Sequence, residues 1–241
     1  RRFGRVDETP IAAASIGQVH RARTIDGREL ALKVQYPGVA RSITSDVDNV
    51  ATLLRLAQLL PLGVDVEEIA REAKRQLAQE ADYLSEARFL EQYARLVADD
   101  PQIVVPKVHW DFTTARVMAM DYMEGVPVES LGAETPQAVR DALGAALQRL
   151  MFRELFEFRV MQTDPNFANY LYQPATARLV LLDFGATQQF SRAYTERYRR
   201  ITRAIVTGDR PVIEREARRI GYIAEDASQD VVDAAMEVLV L

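Results

Sequence analysis

The chain has 241 residues, of which 48% are hydrophobic and 27% are charged, and its net charge is -5. This size and composition fit one large globular domain or one domain of two lobes. A negative net charge without a long block of one sign argues against a nucleic-acid binder that gains affinity by neutralising phosphates. The chain contains no cysteine, which excludes disulfides and thiolate metal sites.

The sequence shows no membrane or export segment. No apolar run reaches the roughly 18–20 residues that a transmembrane helix needs, and the start has no signal-peptide pattern. The first residue is Arg rather than Met, and the chain ends in the apolar stretch VLVL. We therefore expect a fragment of a longer protein, whose anchors would lie outside this sequence.

The N-terminal part alternates short β-like runs with turns. The runs IGQVHRART, IDGREL and ALKVQY predict a hairpin with Asp26-Gly27 at its turn. From Val64 to Val97 the chain is rich in Ala, Glu, Arg and Leu and lacks internal Gly and Pro, which predicts one long helix. IVVPKVHWDF and ARVMAMDYM then predict strands, and Glu124-Gly125 ends this pattern.

The C-terminal part is mostly helical. Ala138 to Phe158 predict a long amphipathic helix, and the chain from Arg192 onward predicts helix to its end. Between them, Asn169 to Phe184 predict a short β unit with a turn near Pro174. We expect an α+β fold, with a β-rich N-terminal domain at 1–122, which carries inserted helices, and a mostly helical C-terminal domain at 123–241.

Lys33 is the first candidate for chemistry, because it lies in the apolar run ALKVQYP on a predicted strand. A buried ammonium needs a partner, whereas a lysine on an edge strand could face solvent. Glu86 on the predicted long helix is a candidate partner. It would share a helix face with Asp82, while Glu80 would point elsewhere. The alternative is that these acids form an ordinary solvated face.

The segment TPIAAASIGQVH is rich in small residues, which let a backbone come close to a ligand. A glycine-rich loop at this place would be the usual cradle for phosphates. Here three alanines and the single Gly17 stand instead. The alternative is an ordinary helix start, capped by Thr9 with Pro10 at the first helical position.

Two further segments, TDPNFAN and LVLLDFG, carry oxygen ligands. Asp164 precedes Pro165, which keeps it out of regular helix and places it on a loop. Asn169 follows five residues later, and Asp183 ends the predicted strand LVLLD, where a strand's last residue can point out of the sheet into a cleft. Each residue alone could serve a turn. Together with Lys33 and Glu86, in this order, they are typical of a site that holds a divalent metal and a nucleotide.

The order of these parts resembles the protein-kinase fold and, in detail, the UbiB/AarF family of atypical kinase-like proteins. AAASIGQVHRA is similar to the family's alanine-rich loop, ALKVQYPGV to its lysine strand, and QEADYLSEA to its Glu-x-Asp helix motif. LFEFRVMQTDPNFANYLY and LLDFGAT resemble its catalytic and metal-binding segments. The resemblance spans at least Thr9 to Thr187 and is nearest to the branch that supports coenzyme Q biosynthesis. It implies a two-lobed kinase-like fold.

The resemblance also implies a role for each candidate. Lys33 would contact nucleotide phosphates and pair with Glu86, and Asp164 would take the place of the catalytic base. Mg²⁺ would be held by Asn169 and Asp183. The alanine-rich loop would bind ATP or ADP, and the adenine would lie against the hinge around Met120 to Met123. Besides Lys33, the implied binding residues are Ala12, Ala13, Ala14, Ser15, Gly17, Met120 and Met123.

The sequence departs from ordinary kinases at several points. Gln162-Thr163 stand where His-Arg precedes the catalytic Asp, no Ala-Pro-Glu motif follows, and the family's Lys-x-Gly-Gln helix is expected upstream of this sequence. A platform for protein substrates is therefore poorly supported. The hypotheses are a Mg²⁺-dependent kinase or ATPase that supports ubiquinone biosynthesis, a nucleotide-binding pseudokinase-like regulator without turnover, and a small-molecule phosphotransferase.

The resemblance implies further partners besides the nucleotide. These are membrane lipid, a quinone precursor and other ubiquinone-biosynthesis proteins, and no nucleic acid is expected. The implied location is the cytoplasm or inner membrane surface of a bacterium, or the matrix side of a mitochondrion. His20, His109 and Trp110 are predicted to be structural, and RAYTERYRRITR is predicted to be a solvated helix face.

Overall fold

The structure is a computed structural model, and it describes residues 2–57 and 66–240. The chain divides into two compact units. The first unit consists of Arg1–Leu143 and Gln162–Thr187, and the second of Gly144–Met161 and Gln188–Leu241. The boundary between 1–122 and 123–241 divides the sequence differently, and it stays a prediction.

The first unit opens with four strands, β1 (Phe3–Val6), β2 (Ala12–Ala14), β3 (Gly17–Thr24) and β4 (Glu29–Gln35). The predicted hairpin is confirmed, since β3 and β4 pair antiparallel on either side of the Asp26-Gly27 turn. Gly27 has a φ of +88°, a conformation that glycine adopts without the penalty of a Cβ.

The alternative prediction of a helix that starts at Thr9 and Pro10 was wrong, because the chain forms strand β2 there. Its three alanines pair antiparallel with β3, with Ala12 opposite Val19 and Ala14 opposite Gly17. Alanine favours helix only weakly in absolute terms, and tertiary context often overrides that preference. Here the hydrogen bonds to the neighbouring strand decide the conformation, and the chain turns back through Ser15 and Ile16.

Three helices follow, α1 (Val39–Ala57), α2 (Val66–Glu80) and α3 (Tyr83–Leu96). The prediction of one helix from Val64 to Val97 was wrong, although Val64 itself lies outside the described residues. The helix breaks at Ala81 and Asp82. Asp82 caps α3, because its side chain accepts a hydrogen bond from Ser85 N, as an aspartate at this position commonly does. Asp82 therefore does not share a helix face with Glu86.

A tertiary contact holds this break. Gln35, at the end of β4, donates a hydrogen bond from Nε2 to the carbonyl oxygen of Ala81 at 2.7 Å. The carbonyl has lost its helical partner at the break, and the glutamine amide satisfies it. The strand that carries Lys33 and the helix that carries Glu86 are thus connected beside the break.

The chain then forms β5 (Ile103–Val104), β6 (Val117–Asp121) and β7 (Val126–Pro127). The N-terminal sheet has the order β1-β3-β4-β6, with β2 also paired to β3. The strand predicted over IVVPKVHWDF is limited to β5, since the chain leaves strand geometry before Pro106, which has no N–H to donate. β4 lies inside the sheet, so the interpretation of Lys33 as an edge-strand residue was wrong.

After helix α4 (Gln137–Arg153) come β8 (Val160–Gln162), β9 (Tyr170–Gln173), β10 (Arg178–Leu181) and β11 (Thr187–Gln189). The predicted β unit is confirmed, since β9 and β10 pair antiparallel around Pro174. β9 and β10 belong to a second sheet, whose strand order is β5-β10-β9-β7, while β8 pairs with β11. Asp183 lies two residues beyond β10 rather than at its end.

The second unit is mostly helical, and the helical chain predicted from Arg192 onward is confirmed, as three separate helices. α4 ends at Arg153 and passes into a π-helical turn at Glu154–Phe158, so the α-helix is shorter than the predicted segment. The C-terminal helices are α5 (Arg192–Thr207), α6 (Arg210–Arg219) and α7 (Gln229–Val240). They enclose a core of seven buried residues, which are Ile201, Ala204, Ile213, Ala217, Ile223, Val232 and Met236. Across residues 2–57 and 66–240, no helix has the length and apolar character needed to cross a bilayer.

Candidate functional site

Lys33 lies in the middle of β4, opposite Val19 on β3 and Met118 on β6. The residue is only 7% exposed. Its Nζ donates to Glu86 Oε1 at 2.7 Å and to Asp183 Oδ2 at 3.1 Å. The structure therefore brings together three residues that are 53 and 150 positions apart in the chain.

Burial and charge act in opposite directions on this cluster. Burial by itself would lower the pKa of Lys33, but the carboxylates of Glu86 and Asp183 outweigh it and raise that pKa above its ordinary value. Burial raises the pKa of Glu86, and the Lys33 ammonium opposes that rise. The ammonium and the carboxylate stabilise each other's charge in a place where either alone would be costly.

Tyr83 is a member of the site that the sequence interpretation missed. It is fully buried at the first position of α3, and its ring lies 5.3 Å from Lys33 Nζ in a cation–π contact. Burial raises the pKa of the Tyr83 hydroxyl to about 12. The signal in the sequence was its place directly after Asp82, three residues before Glu86, which puts it on the same helix face.

Residues 183–187, here called the metal loop, are held at several points. Asp183 Oδ1 accepts a hydrogen bond from Gly185 N at 2.9 Å. Phe184 is buried, and its ring packs against Tyr93 of α3 with the centroids 4.6 Å apart. The carbonyl of Thr187 accepts a hydrogen bond from Gln79 Nε2 of α2 at 2.8 Å. The loop is thus fixed by both helices that flank the break.

Residues 162–169, here called the catalytic loop, lie beside the metal loop. Leu182 N donates to Asn169 O at 3.1 Å, and Thr163 donates to Ala186 O from its backbone N at 3.1 Å and from Oγ1 at 2.7 Å. Asp164 is exposed, and its backbone N donates to Gln162 Oε1. The loop therefore presents the Asp164 carboxyl to solvent on a backbone that its neighbours hold.

The alanine-rich segment forms β2 and the β2–β3 turn. Ala12 and Ala13 are exposed, Ala14 ends β2, and Ser15 lies in the turn. Gly17 packs closely, because a Cβ at this position would lie 2.2 Å from Val34 O and 2.9 Å from the Tyr83 hydroxyl. No side chain fits there. Gly17 lets the hairpin pack onto both the lysine strand and Tyr83.

Met120 and Met123 lie at the end of β6 and just after it. Met120 is 5% exposed and pairs with Ala31 of β4, while Met123 is partly exposed. The neighbouring Asp121 accepts a hydrogen bond from His109, whose Nε2 lies 2.7 Å from its Oδ1. This contact connects His109 to β6, and its non-catalytic role stays a prediction.

The predicted metal ligands fit Mg²⁺ by their chemistry. Asn169 and Asp183 offer amide and carboxylate oxygens, the hard donors that Mg²⁺ prefers, and few protein ligands suffice because this ion keeps several waters and binds substrate phosphates. With Lys33 protonated and both carboxyl groups ionised, the three side chains would carry one net negative charge, which would attract a divalent cation. Their metal role and the roles of the other candidates stay predictions.

The chain is similar to known proteins over nearly its whole length. The ABC1 atypical kinase-like domain family matches residues 1–217 of the chain. A solved structure of Rv3197 from Mycobacterium tuberculosis, in complex with erythromycin, superposes with a TM-score of 0.76 and 27% identity, covering 99% of this chain and 61% of that one.

Curated proteins show the same similarity. Atypical kinase COQ8B, mitochondrial, of Rattus norvegicus is 39% identical over 236 residues, which are 98% of this chain and 44% of that protein. Atypical kinase COQ8, mitochondrial, of Saccharomyces cerevisiae is 36% identical over 98% of this chain and 47% of its own length. AarF domain-containing protein kinase 1 of Gallus gallus is 30% identical over 91% of this chain and 43% of its own length.

The chain thus spans less than half the length of these three curated relatives. The family match nevertheless extends over nearly all of the chain, and it includes both the lysine strand and the metal loop. The α+β, kinase-like fold and the resemblance to UbiB/AarF proteins are confirmed, and the chain belongs to the ABC1 atypical kinase-like domain family.

Proposed function

We propose that this chain is the nucleotide-binding domain of a Mg²⁺-dependent atypical kinase or ATPase. The observation that carries the proposal is the buried contact of Lys33 with both Glu86 and Asp183. A buried lysine held by a helix glutamate, next to an aspartate in an Asp-Phe-Gly triplet, is the arrangement that phosphoryl-transfer sites of kinases require.

Each residue would act by position or charge. Lys33, held by Glu86, would bind the phosphates of ATP or ADP. Asn169 and Asp183 would hold Mg²⁺, which when bound would neutralise charge on the phosphate oxygens. Asp164 would orient the attacking hydroxyl or water and accept its proton. The β2–β3 hairpin would cover the phosphates, and the segment from Met120 to Met123 would lie against the adenine.

We extend the proposal to ubiquinone biosynthesis, because two of the similar proteins carry the name COQ8 and are mitochondrial. A quinone precursor, membrane lipid or another protein of that pathway would then be a partner. Location on the matrix side of a mitochondrion, or in the cytoplasm or at the inner membrane surface of a bacterium, belongs to the same proposal.

The test is thermal stabilisation by ATP and by ADP, each with and without Mg²⁺. A ligand that binds only the folded state stabilises it by about 2.7 kcal/mol at a hundred times its dissociation constant. We expect a Mg²⁺-dependent rise in melting temperature that Lys33→Ala and Asp183→Asn both lose. Lys107→Ala and Asp46→Asn, which change exposed residues of the same types, serve as matched controls and should respond like the parent chain.

Unchanged nucleotide affinity in Asp183→Asn would contradict the metal role, and equal losses in the control variants would contradict the site assignment. Measurement of phosphate release then separates an ATPase from a pseudokinase-like regulator, which would bind nucleotide without turnover. Transfer of labelled phosphate to a small alcohol would instead indicate a small-molecule phosphotransferase.

A further inference from the structure

Thr163 makes an unusual contact for an exposed residue. Its backbone N and its Oγ1 both donate to one acceptor, the carbonyl oxygen of Ala186, at 3.1 and 2.7 Å. An exposed hydroxyl could bond to water instead, so this contact adds only about 0.5–1.5 kcal/mol to stability. Its main effect is geometric, because it fixes the catalytic loop and the metal loop to each other.

Ala186 is three residues from Asp183, and both residues between them are restrained by contacts. Phe184 is buried against Tyr93, and Gly185 N is bonded to the Asp183 carboxylate. A shift of the Ala186 carbonyl would therefore move the backbone that carries Asp183. The contact of Thr163 with Ala186 is thus connected to the Asp183 carboxylate through this short segment.

Gln162 has the corresponding role on the other side of Thr163. Its side chain is buried, and Oε1 accepts the backbone N–H of Asp164. The bond fixes the direction in which the chain leaves β8, and hence the position of the exposed Asp164 carboxyl. The two residues thus contact the backbone beside two of the three acidic residues of the site, Gln162 beside Asp164 and Thr163 beside Asp183.

We propose that Gln162 and Thr163 are positioning residues of the phosphoryl-transfer site, with Gln162 orienting Asp164 and Thr163 orienting Asp183. This proposal rests on the function proposed above. In ordinary kinases His-Arg occupy these two positions, so the departure in sequence is a substitution of one positioning pair by another. It is not by itself a sign of lost turnover.

The first test replaces Thr163 by Val, which keeps the size and the backbone N–H but removes the hydroxyl. In the ligand-free protein, hydrogen exchange of the amides of Gly185 to Thr187 should become faster. The Mg²⁺ concentration for half-maximal stabilisation by ATP should rise about two- to tenfold, as expected for one lost hydrogen bond. Thr163→Ser, which keeps the hydroxyl, should restore both values.

The matched control is Thr52→Val, because Thr52 Oγ1 donates to the Asp48 carbonyl on the exposed face of α1. This variant should change neither value. Unchanged exchange in Thr163→Val would overturn the proposal. Faster exchange with an unchanged Mg²⁺ midpoint would also overturn it, since Thr163 would then be structural only.

The second test replaces Gln162 by Met, which has a similar length but no oxygen. We expect faster exchange of the Asp164 amide, with nucleotide affinity retained and phosphate release per bound ATP reduced. An Asp164 amide that exchanges as in the parent chain would overturn the role of Gln162. If the parent chain itself shows no Mg²⁺-dependent response, the proposed function fails. If the parent responds and the variants match it, only the present proposal fails.

Discussion

Lys33 shows how much one buried charge depends on its neighbours. The carboxylates of Glu86 and Asp183 lie 2.7 and 3.1 Å from its Nζ, and the Tyr83 ring makes a cation–π contact with the same ammonium. Loss of the ammonium would leave Glu86 as a buried carboxyl without its counter-charge, which is more costly than the loss of the contact alone.

Lys33→Met should therefore make stability depend strongly on pH. Burial raises the pKa of Glu86, and without the ammonium this rise is unopposed. A carboxyl whose folded pKa lies above its unfolded value contributes stability at low pH, and that contribution is lost as pH rises above the unfolded value. Each unit of raised pKa costs about 1.4 kcal/mol once the group is ionised.

The measurement is the urea midpoint at pH 5 and pH 8. Lys33→Met should lose more stability between these values than the parent chain, whereas Lys33→Met with Glu86→Gln should lose little more than the parent. Equal pH dependence in the single and double variants would show that Glu86 does not carry the effect.

At Gly17, the addition of a single Cβ atom would disturb the packing. In Gly17→Ala the new Cβ would lie 2.2 Å from Val34 O, and backbone must move to relieve this contact. We expect a loss of about 1–3 kcal/mol in unfolding free energy, as for other overpacked positions, together with weaker ATP binding because the hairpin shifts.

Gly144→Ala is the matched control. Gly144 lies within α4, and a Cβ there would meet nothing within 4 Å, so alanine should stabilise the helix by about 0.5–1 kcal/mol. Chemical denaturation of both variants provides the comparison. A Gly17→Ala variant as stable as Gly144→Ala would refute the tight packing.

At the level of elements, helices α5 and α6 are joined by one buried carboxylate. Glu216 of α6 lies with its side chain 1% exposed, 3.2 Å from Arg200 of α5 and 3.0 Å from Arg219. Arg215 Nε lies 3.5 Å from the same carboxylate. Burial alone would raise the pKa of Glu216, but these guanidinium groups outweigh it and lower that pKa.

Glu216→Gln should destabilise the second unit at neutral pH by about 1–3 kcal/mol, since it removes charge-assisted hydrogen bonds. A carboxyl with a depressed folded pKa contributes stability above its unfolded pKa and loses it as pH falls. The difference from the parent chain should therefore shrink between pH 6 and pH 3. Urea midpoints across this range test it, with exposed Glu237→Gln as control, and a difference that grows on acidification would contradict it.

At the scale of the whole molecule, every candidate nucleotide residue belongs to the first compact unit. ATP with Mg²⁺ should therefore slow hydrogen exchange most in the β2–β3 hairpin, the catalytic loop and the metal loop. Loop amides exchange by local opening, which a bound ligand suppresses. Peptide-resolved exchange with and without nucleotide provides the test, and a largest change within α5 to α7 would contradict this placement of the site.

Much of this protein follows from local sequence. Asp26-Gly27 between two alternating runs predicts the β3–β4 hairpin, because only certain residues fit its turn. The ordered candidates Lys33, Glu86, Asp164, Asn169 and Asp183 predict a kinase-like arrangement, and the family match agrees with it. These features depend on residue type and spacing, which a sequence displays directly.

Other features depend on contacts between distant segments. A sequence without Gly or Pro gave no reason to end a helix at Ala81, and the break is held by Gln35 from another strand. The alanines of β2 are strand because β3 offers them hydrogen bonds, and Lys33 is buried because β4 lies between β3 and β6. Thr163 meets Ala186 across 23 residues. Sequence by itself determined the family and the order of the candidate residues. Only the tertiary structure decided which residues are buried, where the helices end, and which hydrogen bonds Gln162 and Thr163 form. The reason is that residue propensities are local, whereas these contacts join distant segments.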